Sequence, residues 1–311
     1  MKPLEKIPSH RFGAYTLVRK LGEGGMAEVF LGGAIDEKSA TLLPVAIKIA
    51  KPLGDLGLDV EELFATEADI MGLLKHPGVV TLYEIGRFQG RFFLAMEFLC
   101  GGDLAGAIAA LRRKGASFPA PLALELGIKV LRTLAFVHNA RGASGTPLGL
   151  VHGDVNPGNI FLDVPSGIIK LGDFGVAMSQ TFGVGLPEGM AGGKLNYLSP
   201  EQASGLPITP ATDLFAMATV LYELFFGVRP FEGGSSDEIL GRIAQCRYRE
   251  DVPMTEWQRA FFARAFSRNT KARFQTAGTM AAELLRALLD ETMEPVPGAL
   301  GRFLEDAIEG R

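Results

Sequence analysis

A glycine-rich segment near the beginning of the sequence could hold phosphate groups. Gly22–Val29 reads GEGGMAEV and lies between two predicted strands, Tyr15–Val18 and Ala27–Leu31. Glycine lets the backbone approach a triphosphate closely, and turned N–H groups can cradle its anionic oxygens. Because a strand rather than a helix follows, the spacing does not favour a dinucleotide-binding turn. By itself, the segment is explained equally well as an ordinary hairpin turn.

The next strand and the next helix each carry a charge where an apolar residue is expected. Val45–Ala50 alternates as a strand and contains Lys48, and a predicted helix over Val60–Leu74 has Glu67 inside its apolar stripe. A charge on a buried face requires a partner. Either residue alone could be structural. Together, behind a glycine loop, they predict an ion pair that orients phosphate groups.

A second set of candidates flanks a predicted β-hairpin over Ile160–Leu171. Asp154 and Asn159 precede it in the motif HGDVNPGN, and Asp173 follows it in DFG. Asp154 could accept a hydroxyl proton or orient the attacking oxygen, while Asn159 and Asp173 offer hard oxygen ligands for Mg²⁺. Each residue alone would be explained by a turn. The ordered set of motifs argues against that explanation.

The composition excludes several classes of protein. The 311 residues are 47% hydrophobic and 21% charged, as in globular proteins, and the net charge of −4 provides no basic field for nucleic acid. The longest stretch without a charge or histidine, Phe174–Pro187, has 14 residues, fewer than the roughly 20 that cross a bilayer. Two cysteines form neither a disulfide framework nor a zinc spacing, and no signal peptide is recognisable. We therefore expect a cytoplasmic protein without a membrane span or a nucleic-acid partner.

The elements that must position these residues change in type along the chain. Strands with one helix occupy the first third, and helices dominate after Gly101-Gly102. This order predicts an α+β fold with a small β-rich lobe and a larger, mainly helical lobe. The helix containing Asp213 is apolar nearly all round, which predicts a buried central position. The predicted helices of the larger lobe are Asp103–Arg113, Pro121–Asn139, Asp213–Phe226 and Gly278–Leu289.

With these motifs, the sequence from about Tyr15 to Leu289 resembles the bacterial eukaryotic-like (Hanks-type) Ser/Thr protein kinases. Ser199-Pro200-Glu201 resembles the family's APE motif, and Arg273 resembles the arginine that pairs with its glutamate. The resemblance implies the bilobal kinase fold: an N-terminal extension (1–13), a kinase domain (14–290) and a C-terminal tail (291–311) with a short amphipathic helix. The kinase domain would divide into an N-lobe (14–96), a hinge (97–103) and a C-lobe (104–290). The tail could pack on the large lobe, which we favour, or bind a regulatory protein partner.

The resemblance also implies ATP, Mg²⁺ (or Mn²⁺), a protein substrate and a set of site residues. Met96 would be the gatekeeper, Glu97–Leu99 the adenine-binding hinge and Asp103 a ribose contact. The metal would be held by Asn159 and Asp173. A regulatory stack anchored by Asp213 would comprise Met71, Leu82, His152 and Phe174. The implied ATP-binding residues are Leu21, Gly22, Gly24, Gly25, Val29, Ala46, Lys48, Met96, Glu97, Leu99, Asp103, Asn159, Phe161 and Asp173. The catalytic candidates are Lys48, Glu67, Asp154, Asn159, Asp173 and Lys194.

The sequence departs from the family pattern at four positions. Gly153 replaces the arginine that binds a phosphorylated activation loop, so we do not expect switching by loop phosphorylation, although Ser179 and Thr181 are potential acceptors. Gly158 replaces an acid of many basophilic kinases, so an upstream arginine preference is not supported.

The other two departures suggest an exchange of residues. Asn156 replaces the catalytic-loop lysine that stabilises charge on the transferred phosphoryl group, and Lys194 replaces a threonine that approaches the same aspartate in the family. We hypothesise that Lys194 delivers its ammonium group to the place that Asn156 leaves vacant. The alternative is that Lys194 is a solvated loop residue.

Three functions remain open from the sequence. The favoured one is an ATP-dependent Ser/Thr protein kinase, a choice that the Asn156-Pro157 pair supports over a tyrosine kinase. A pseudokinase is motivated by Gly153 and Asn156, although Lys48, Glu67, Asp154, Asn159 and Asp173 are all present. A small-molecule phosphotransferase of the aminoglycoside or choline kinase type shares a similar catalytic loop. That type lacks the long activation segment and the SPE motif.

Overall fold

A computed structural model describes residues 10–24, 26–35, 42–51, 60–164, 166–174, 192–290 and 298–309. The chain divides into two compact units. The smaller comprises Met1–Lys75 and Val80–Phe98, and the larger comprises His76–Val79 and Leu99–Arg311. Their compositions in secondary structure match the predicted α+β class, since the first unit is mostly sheet and the second is mostly helix.

The smaller unit is built on an antiparallel sheet that has six strands among the described residues. The described residues of this unit also form a helix, α1, over Val60–Leu73. The sheet begins at His10, so three residues of the segment predicted as an N-terminal extension (1–13) belong to it. The strands are β1 His10–Phe12, β2 Tyr15–Glu23, β3 Ala27–Ile35, β4 Leu42–Ala50, β5 Leu82–Phe88 and β6 Arg91–Glu97. Their order in the sheet is β1-β2-β3-β4-β6-β5.

The alternation of β4 buries one of its faces. Val45, Ile47 and Ile49 are buried in the core of the smaller unit, as the period-2 pattern predicts. The neighbouring strand accommodates Ile47 through Gly32, because a Cβ at Gly32 would lie 2.5 Å from Ile47 Cδ1. This packing fixes the register of β4 and with it the face that carries Lys48.

The larger unit contains eight helices and one hairpin among its described residues. The four helices predicted for this unit appear with bounds shifted by three residues or fewer, whereas those over Pro200–Ala203, Ser236–Ala244 and Glu256–Ala265 were not predicted. The hairpin comprises β7 Ile160–Asp163 and β8 Ile168–Leu171. The helices are α2 Leu104–Arg113, α3 Ala120–His138, α4 Pro200–Ala203, α5 Pro210–Phe226, α6 Ser236–Ala244, α7 Glu256–Ala265, α8 Ala277–Asp290 and α9 Ala299–Glu309.

Helix α5 is the centre of the larger unit. Every residue from Ala211 to Leu224 is buried, which explains why its sequence is apolar nearly all round. The helix begins at a Thr209 capping box and ends at Gly227, whose φ of 69° is the left-handed conformation that glycine adopts without strain. Asp213 in its first turn is therefore held in a rigid, buried position.

The C-terminal helix α9 packs against α2 and α3 of the larger unit. Its stripe of Leu300, Leu304 and Ala307 is buried, and the Phe303 ring meets the Phe118 ring edge-on at 4.9 Å between centroids. Lys114 Nζ also donates to the Asp306 carbonyl at 2.6 Å. The described part of the tail thus packs on its own chain, as in the first of the two alternatives.

A search of the described helices for one with the length and the apolar character of a membrane span finds none.

Candidate functional site

The glycine-rich segment joins β2 to β3 in the smaller unit. Gly22 and Glu23 pair with Val29 and Glu28 across the hairpin, and Gly24 N donates to Ala27 O at 2.8 Å. Hydrogen bonds from Lys20 and Lys51 lower the pKa of Glu23 to about 2. The segment is therefore an ordered hairpin up to Gly24, and predicted Gly25 lies outside the described residues.

Lys48 and Glu67 form the ion pair that the sequence predicts. Lys48 Nζ lies 2.8 Å from both carboxylate oxygens of Glu67. Their side chains are 15% and 3% exposed, so the pair is largely removed from solvent. Strand β4 fixes the lysine and helix α1 fixes the acid. Each satisfies the charge of the other, which a buried charge requires.

The other predicted ATP-binding residues of the smaller unit lie in or beside its sheet. Val29 and Ala46 are half-buried on adjacent strands, while Leu21, Gly22 and Gly24 are exposed. Met96 on β6 is buried, and the backbone N–H of Thr81 donates to Glu97 Oε2 at 3.2 Å. The structure gives each residue a place but does not test its predicted contact with ATP.

Five of the predicted ATP-binding residues lie in the larger unit: Leu99, Asp103, Phe161 and the two predicted metal ligands, Asn159 and Asp173. Leu99 is buried and Phe161 is half-buried. Asp103, expected to contact ribose, is the N-cap of α2 and accepts a hydrogen bond from Gly106 N at 2.7 Å. Burial raises the pKa of Asp103. A capping role alone explains why the sequence places aspartate at the start of this helix.

Asp154 is surrounded by three hydrogen-bond donors in the larger unit. Asn156 Nδ2 donates to Asp154 Oδ1 at 2.8 Å, and Asn159 Nδ2 donates to Oδ2 at 2.9 Å. Lys194 Nζ lies 2.8 Å from Oδ2. Asn156 also accepts from Gly158 N at 2.9 Å and so caps the 3₁₀ turn Pro157–Asn159. The carboxylate therefore has a fixed orientation.

The backbone before Asp154 is held by Asp213 of α5. His152 N and Gly153 N each donate to its carboxylate at 2.8 Å, and His138 Nε2 lies 2.7 Å from it. Gly153 has a φ of 74°, in the left-handed region that favours glycine. Sequence reasoning treated Gly153 only as a lost arginine. A glycine directly before a candidate catalytic aspartate is itself a sequence signal for a positive φ.

The predicted regulatory stack lies partly in each unit. In the larger unit, the rings of His152 and Phe174 are 4.7 Å apart between centroids, and both side chains are fully buried. In the smaller unit, Met71 is buried and Leu82 is half-buried. The activation-segment positions Ser179 and Thr181 lie outside the described residues.

The predicted metal ligands suit a hard divalent cation. Asp173 offers a carboxylate and has a φ of 63°, a sparsely populated conformation for a residue other than glycine. Because Asn159 donates through its amide nitrogen, its amide oxygen is the atom available as a ligand. The described residues contain no group of three His, Cys, Asp or Glu side chains suited to a metal ion. Two oxygen donors fit Mg²⁺, which usually takes one or two protein ligands and completes its shell with phosphate and water.

Lys194 lies on a well-anchored 3₁₀ turn, Gly192–Tyr197. Arg229 Nη1 donates to Asn196 Oδ1 at 3.2 Å, and the Tyr197 hydroxyl donates to the buried carboxylate of Glu223. Burial raises the pKa of Tyr197. Asn196 is thus held by Arg229, and Tyr197 is held by Glu223. These contacts fix the backbone from which Lys194 extends.

Glu201 and Arg273 form a closed ion pair beside this turn. Arg273 Nη1 lies 2.9 Å from Glu201 Oε2, and the side chains are 1% and 8% exposed. Thr212 Oγ1 donates to Glu201 Oε1 at 2.9 Å. The pair that the resemblance implied is present, and it anchors helix α4 to the chain before α8.

Comparison with known proteins gives one consistent family. The profile described as "Protein kinase domain" matches residues 15–296. A protein named tyrosine-protein kinase MasK, from Myxococcus xanthus, is 33% identical over 300 residues, which cover 94% of this chain and 46% of that protein.

Two mycobacterial relatives carry a different activity in their names. Serine/threonine-protein kinase PknA of Mycobacterium tuberculosis is 34% identical over 226 residues, which cover 71% of this chain and 48% of PknA. Serine/threonine-protein kinase PknH of Mycobacterium bovis is 30% identical over 305 residues, which cover 96% of this chain and 48% of PknH. The chain thus spans less than half the length of each of these three relatives.

Proposed function

The chain belongs to the protein kinase domain family, and from that premise we propose that it transfers the γ-phosphate of ATP to a serine or threonine hydroxyl of a protein substrate. The observation that carries this proposal is the donor arrangement around Asp154. The carboxylate is oriented by Asn156, Asn159 and Lys194, all within 2.9 Å. Such an arrangement suits a carboxylate that must meet an incoming hydroxyl in one geometry and accept its proton.

Asp154 would receive the acceptor hydroxyl through Oδ1. Its Oδ2 accepts hydrogen bonds from two side chains, while Oδ1 accepts from Asn156 alone among the described residues. Oδ1 therefore retains a lone pair for the substrate. As the acceptor oxygen bonds to the γ-phosphorus and the bond to the ADP oxygen breaks, the hydroxyl proton passes to Asp154.

Lys194 would supply the positive charge that the family takes from its catalytic loop. Its ammonium group lies 2.8 Å from Asp154 Oδ2, and its side chain is 45% exposed. A lysine this accessible can contact both the aspartate and an oxygen of the transferred phosphoryl group. Asn156 at the usual lysine position carries no charge, although its amide nitrogen still contacts Asp154.

Lys48 and Glu67 would orient the phosphates of ATP. The salt bridge holds the lysine ammonium in one position, and a fixed cation needs little reorganisation when it meets a phosphate. Asn159 and Asp173 would hold Mg²⁺ or Mn²⁺. When bound, the metal would neutralise charge on the phosphate oxygens.

The acceptor residue and the two competing functions are matters for experiment. Two relatives are named serine/threonine kinases and one is named a tyrosine kinase. The ordered Lys48–Glu67 pair and the ordered Asp154 cluster support an active enzyme over a pseudokinase. The Glu201–Arg273 pair supports a protein kinase over a small-molecule phosphotransferase, because the latter lacks this motif.

The test is transfer of labelled γ-phosphate from ATP, with Mg²⁺ or Mn²⁺ and a generic protein acceptor. Asp154→Ala serves as the inactive control, and choline and an aminoglycoside serve as competing acceptors. Mass spectrometry identifies the modified residue. We expect label on serine or threonine with the natural chain and none with Asp154→Ala.

The other outcomes separate the alternatives. Label on tyrosine would overturn the acceptor assignment while keeping the kinase. Label on choline or the aminoglycoside alone would establish the small-molecule enzyme. Measurable ATP binding with no transfer to any acceptor would establish the pseudokinase.

A further inference from the structure

The peptide bond between Gly153 and Asp154 is held at both of its polar atoms. Asp154 N donates to His152 Nδ1 at 3.2 Å. The Gly153 carbonyl accepts from Gln202 Nε2 at 2.7 Å. The preceding amide, Gly153 N, is held by Asp213. Both polar atoms of this peptide bond, and the N–H group of the peptide bond before it, are therefore hydrogen-bonded.

Gln202 reaches this carbonyl from helix α4. Its side-chain oxygen accepts from Ser199 N at 3.0 Å, and its backbone N–H donates to Ser199 Oγ at 3.3 Å. This capping box leaves the amide nitrogen of Gln202 pointing away from the helix end, where it meets Gly153. Glu201 in the same turn forms an ion pair with the buried Arg273, which holds in place the backbone from which Gln202 extends.

Glycine makes this hydrogen bond necessary. A glycine can adopt positive and negative φ with similar ease, so the residue itself does not select the φ of 74° seen at Gly153. The neighbours must select it. Asp213 restrains the amide side of Gly153, and Gln202 restrains the carbonyl side.

We propose that Gln202 is a positioning residue that holds the catalytic loop and thereby sets the orientation of Asp154. The proposal rests on the proposed phosphotransfer function and deepens it. In this arrangement a side chain of helix α4 organises the catalytic loop. An error of about 1 Å in a catalytic group can lower turnover about a hundredfold, so a single hydrogen bond here matters for rate.

The sharpest variant is Gln202→Glu. Glutamate keeps the oxygen that accepts from Ser199 N, so the capping box survives, but it removes the N–H group that binds Gly153 O. Helix α7 offers a matched control. Gln258 forms the same capping box with Thr255, with Oε1 accepting from Thr255 N at 2.9 Å. Gln258→Glu therefore makes the same chemical change on a helix whose described hydrogen bonds do not involve residues 150–159.

Two readouts are needed, one of rate and one of loop order. We expect Gln202→Glu to lower kcat about tenfold to a hundredfold with an unchanged KM for ATP, since the Lys48–Glu67 pair is untouched. Hydrogen exchange in a peptide covering residues 150–156 should be faster than in the natural chain. Gln258→Glu should change neither kcat nor this exchange when both are measured below its unfolding temperature. Because Gln258 is buried and Gln202 is half-buried, the control should lose more stability than Gln202→Glu.

Each result decides a separate question. Unchanged kcat in Gln202→Glu, or unchanged exchange over residues 150–156, overturns the positioning role. A natural chain that transfers no phosphate overturns the proposed function, and the exchange data then still decide whether Gln202 holds the loop. Equal losses in both variants would mean a general effect of the added charge, which also overturns the proposal.

Discussion

Two carboxylate–cation pairs of the larger unit have nearly the same length but differ in their access to solvent. Asp154 and Lys194 are 2.8 Å apart, and their side chains are 10% and 45% exposed. Glu201 and Arg273 are 2.9 Å apart, and theirs are 8% and 1% exposed. The distance alone does not distinguish a pair that could meet a substrate from a pair that holds the fold.

The difference in burial predicts different roles for the two ion pairs. A closed pair such as Glu201–Arg273 has lost its hydration, so removing one partner leaves an uncompensated buried charge. In the open pair only the cation is exposed: Lys194 is screened by water, so the pair should contribute less to stability, and its ammonium group remains accessible to another anion. We therefore expect the open pair to control turnover and the closed pair to control stability.

The largest expected effect is at Asp154, the carboxylate of the open pair. Asp154→Asn keeps the shape of the side chain but removes the proton acceptor, and kcat should fall about a thousandfold. The thermal midpoint should stay within about 3 °C, the shift that about 1 kcal/mol causes in a domain of this size. Steady-state kinetics and thermal unfolding measure the two quantities. A large loss of stability would show that the two pairs do not differ as proposed.

The equivalent change in the closed pair should do the reverse. Glu201→Gln leaves the buried Arg273 guanidinium without its counter-charge and should cost about 3–5 kcal/mol in the free energy of unfolding. Denaturant unfolding measures this loss. Below the unfolding temperature, kcat should change much less than in Asp154→Asn. Unaltered stability would contradict the structural role of the pair.

The sequence predicted contacts where a charge interrupts a regular pattern. Lys48 within a strand and Glu67 within an apolar helical stripe each lack a reason to be there without the other, and they are paired. Asn156 and Lys194 suggested an exchange because one position loses a lysine and another gains one, and Lys194 does contact Asp154. Their chemical roles remain predictions.

Contacts to the backbone were beyond sequence reasoning. The hydrogen bond from Gln202 to the Gly153 carbonyl leaves no pattern, because every residue has a carbonyl group. Strands β5 and β6 and helices α4, α6 and α7 were also missed. Helix α6 has only Ile243 buried, so it shows no strong apolar stripe. Strand β1 was missed because it spans three residues, too few to show alternation.

A smaller effect is expected at the backbone of the loop. Gly153→Ala introduces a Cβ at a residue with a φ of 74°, where an L-residue is strained by about 1–2 kcal/mol. We expect this loss in the free energy of unfolding, together with a fall in kcat as the residue relaxes away from its position. Gly205, with a φ of 65° at the end of α4, is the matched control for strain without loss of rate. Equal kcat values for the two alanine variants would contradict a special role for Gly153.

The most direct test of the open pair is the turnover of Lys194→Thr at saturating ATP, measured beside Lys271→Thr, a change of an exposed lysine in another 3₁₀ turn. We expect kcat to fall about a hundredfold in Lys194→Thr, as for loss of one charge-stabilising donor, and not in Lys271→Thr. Adding Asn156→Lys to Lys194→Thr should restore part of the lost rate, because a lysine then returns to the loop. A kcat of Lys194→Thr equal to that of the unsubstituted chain would contradict the claim that this lysine works with Asp154.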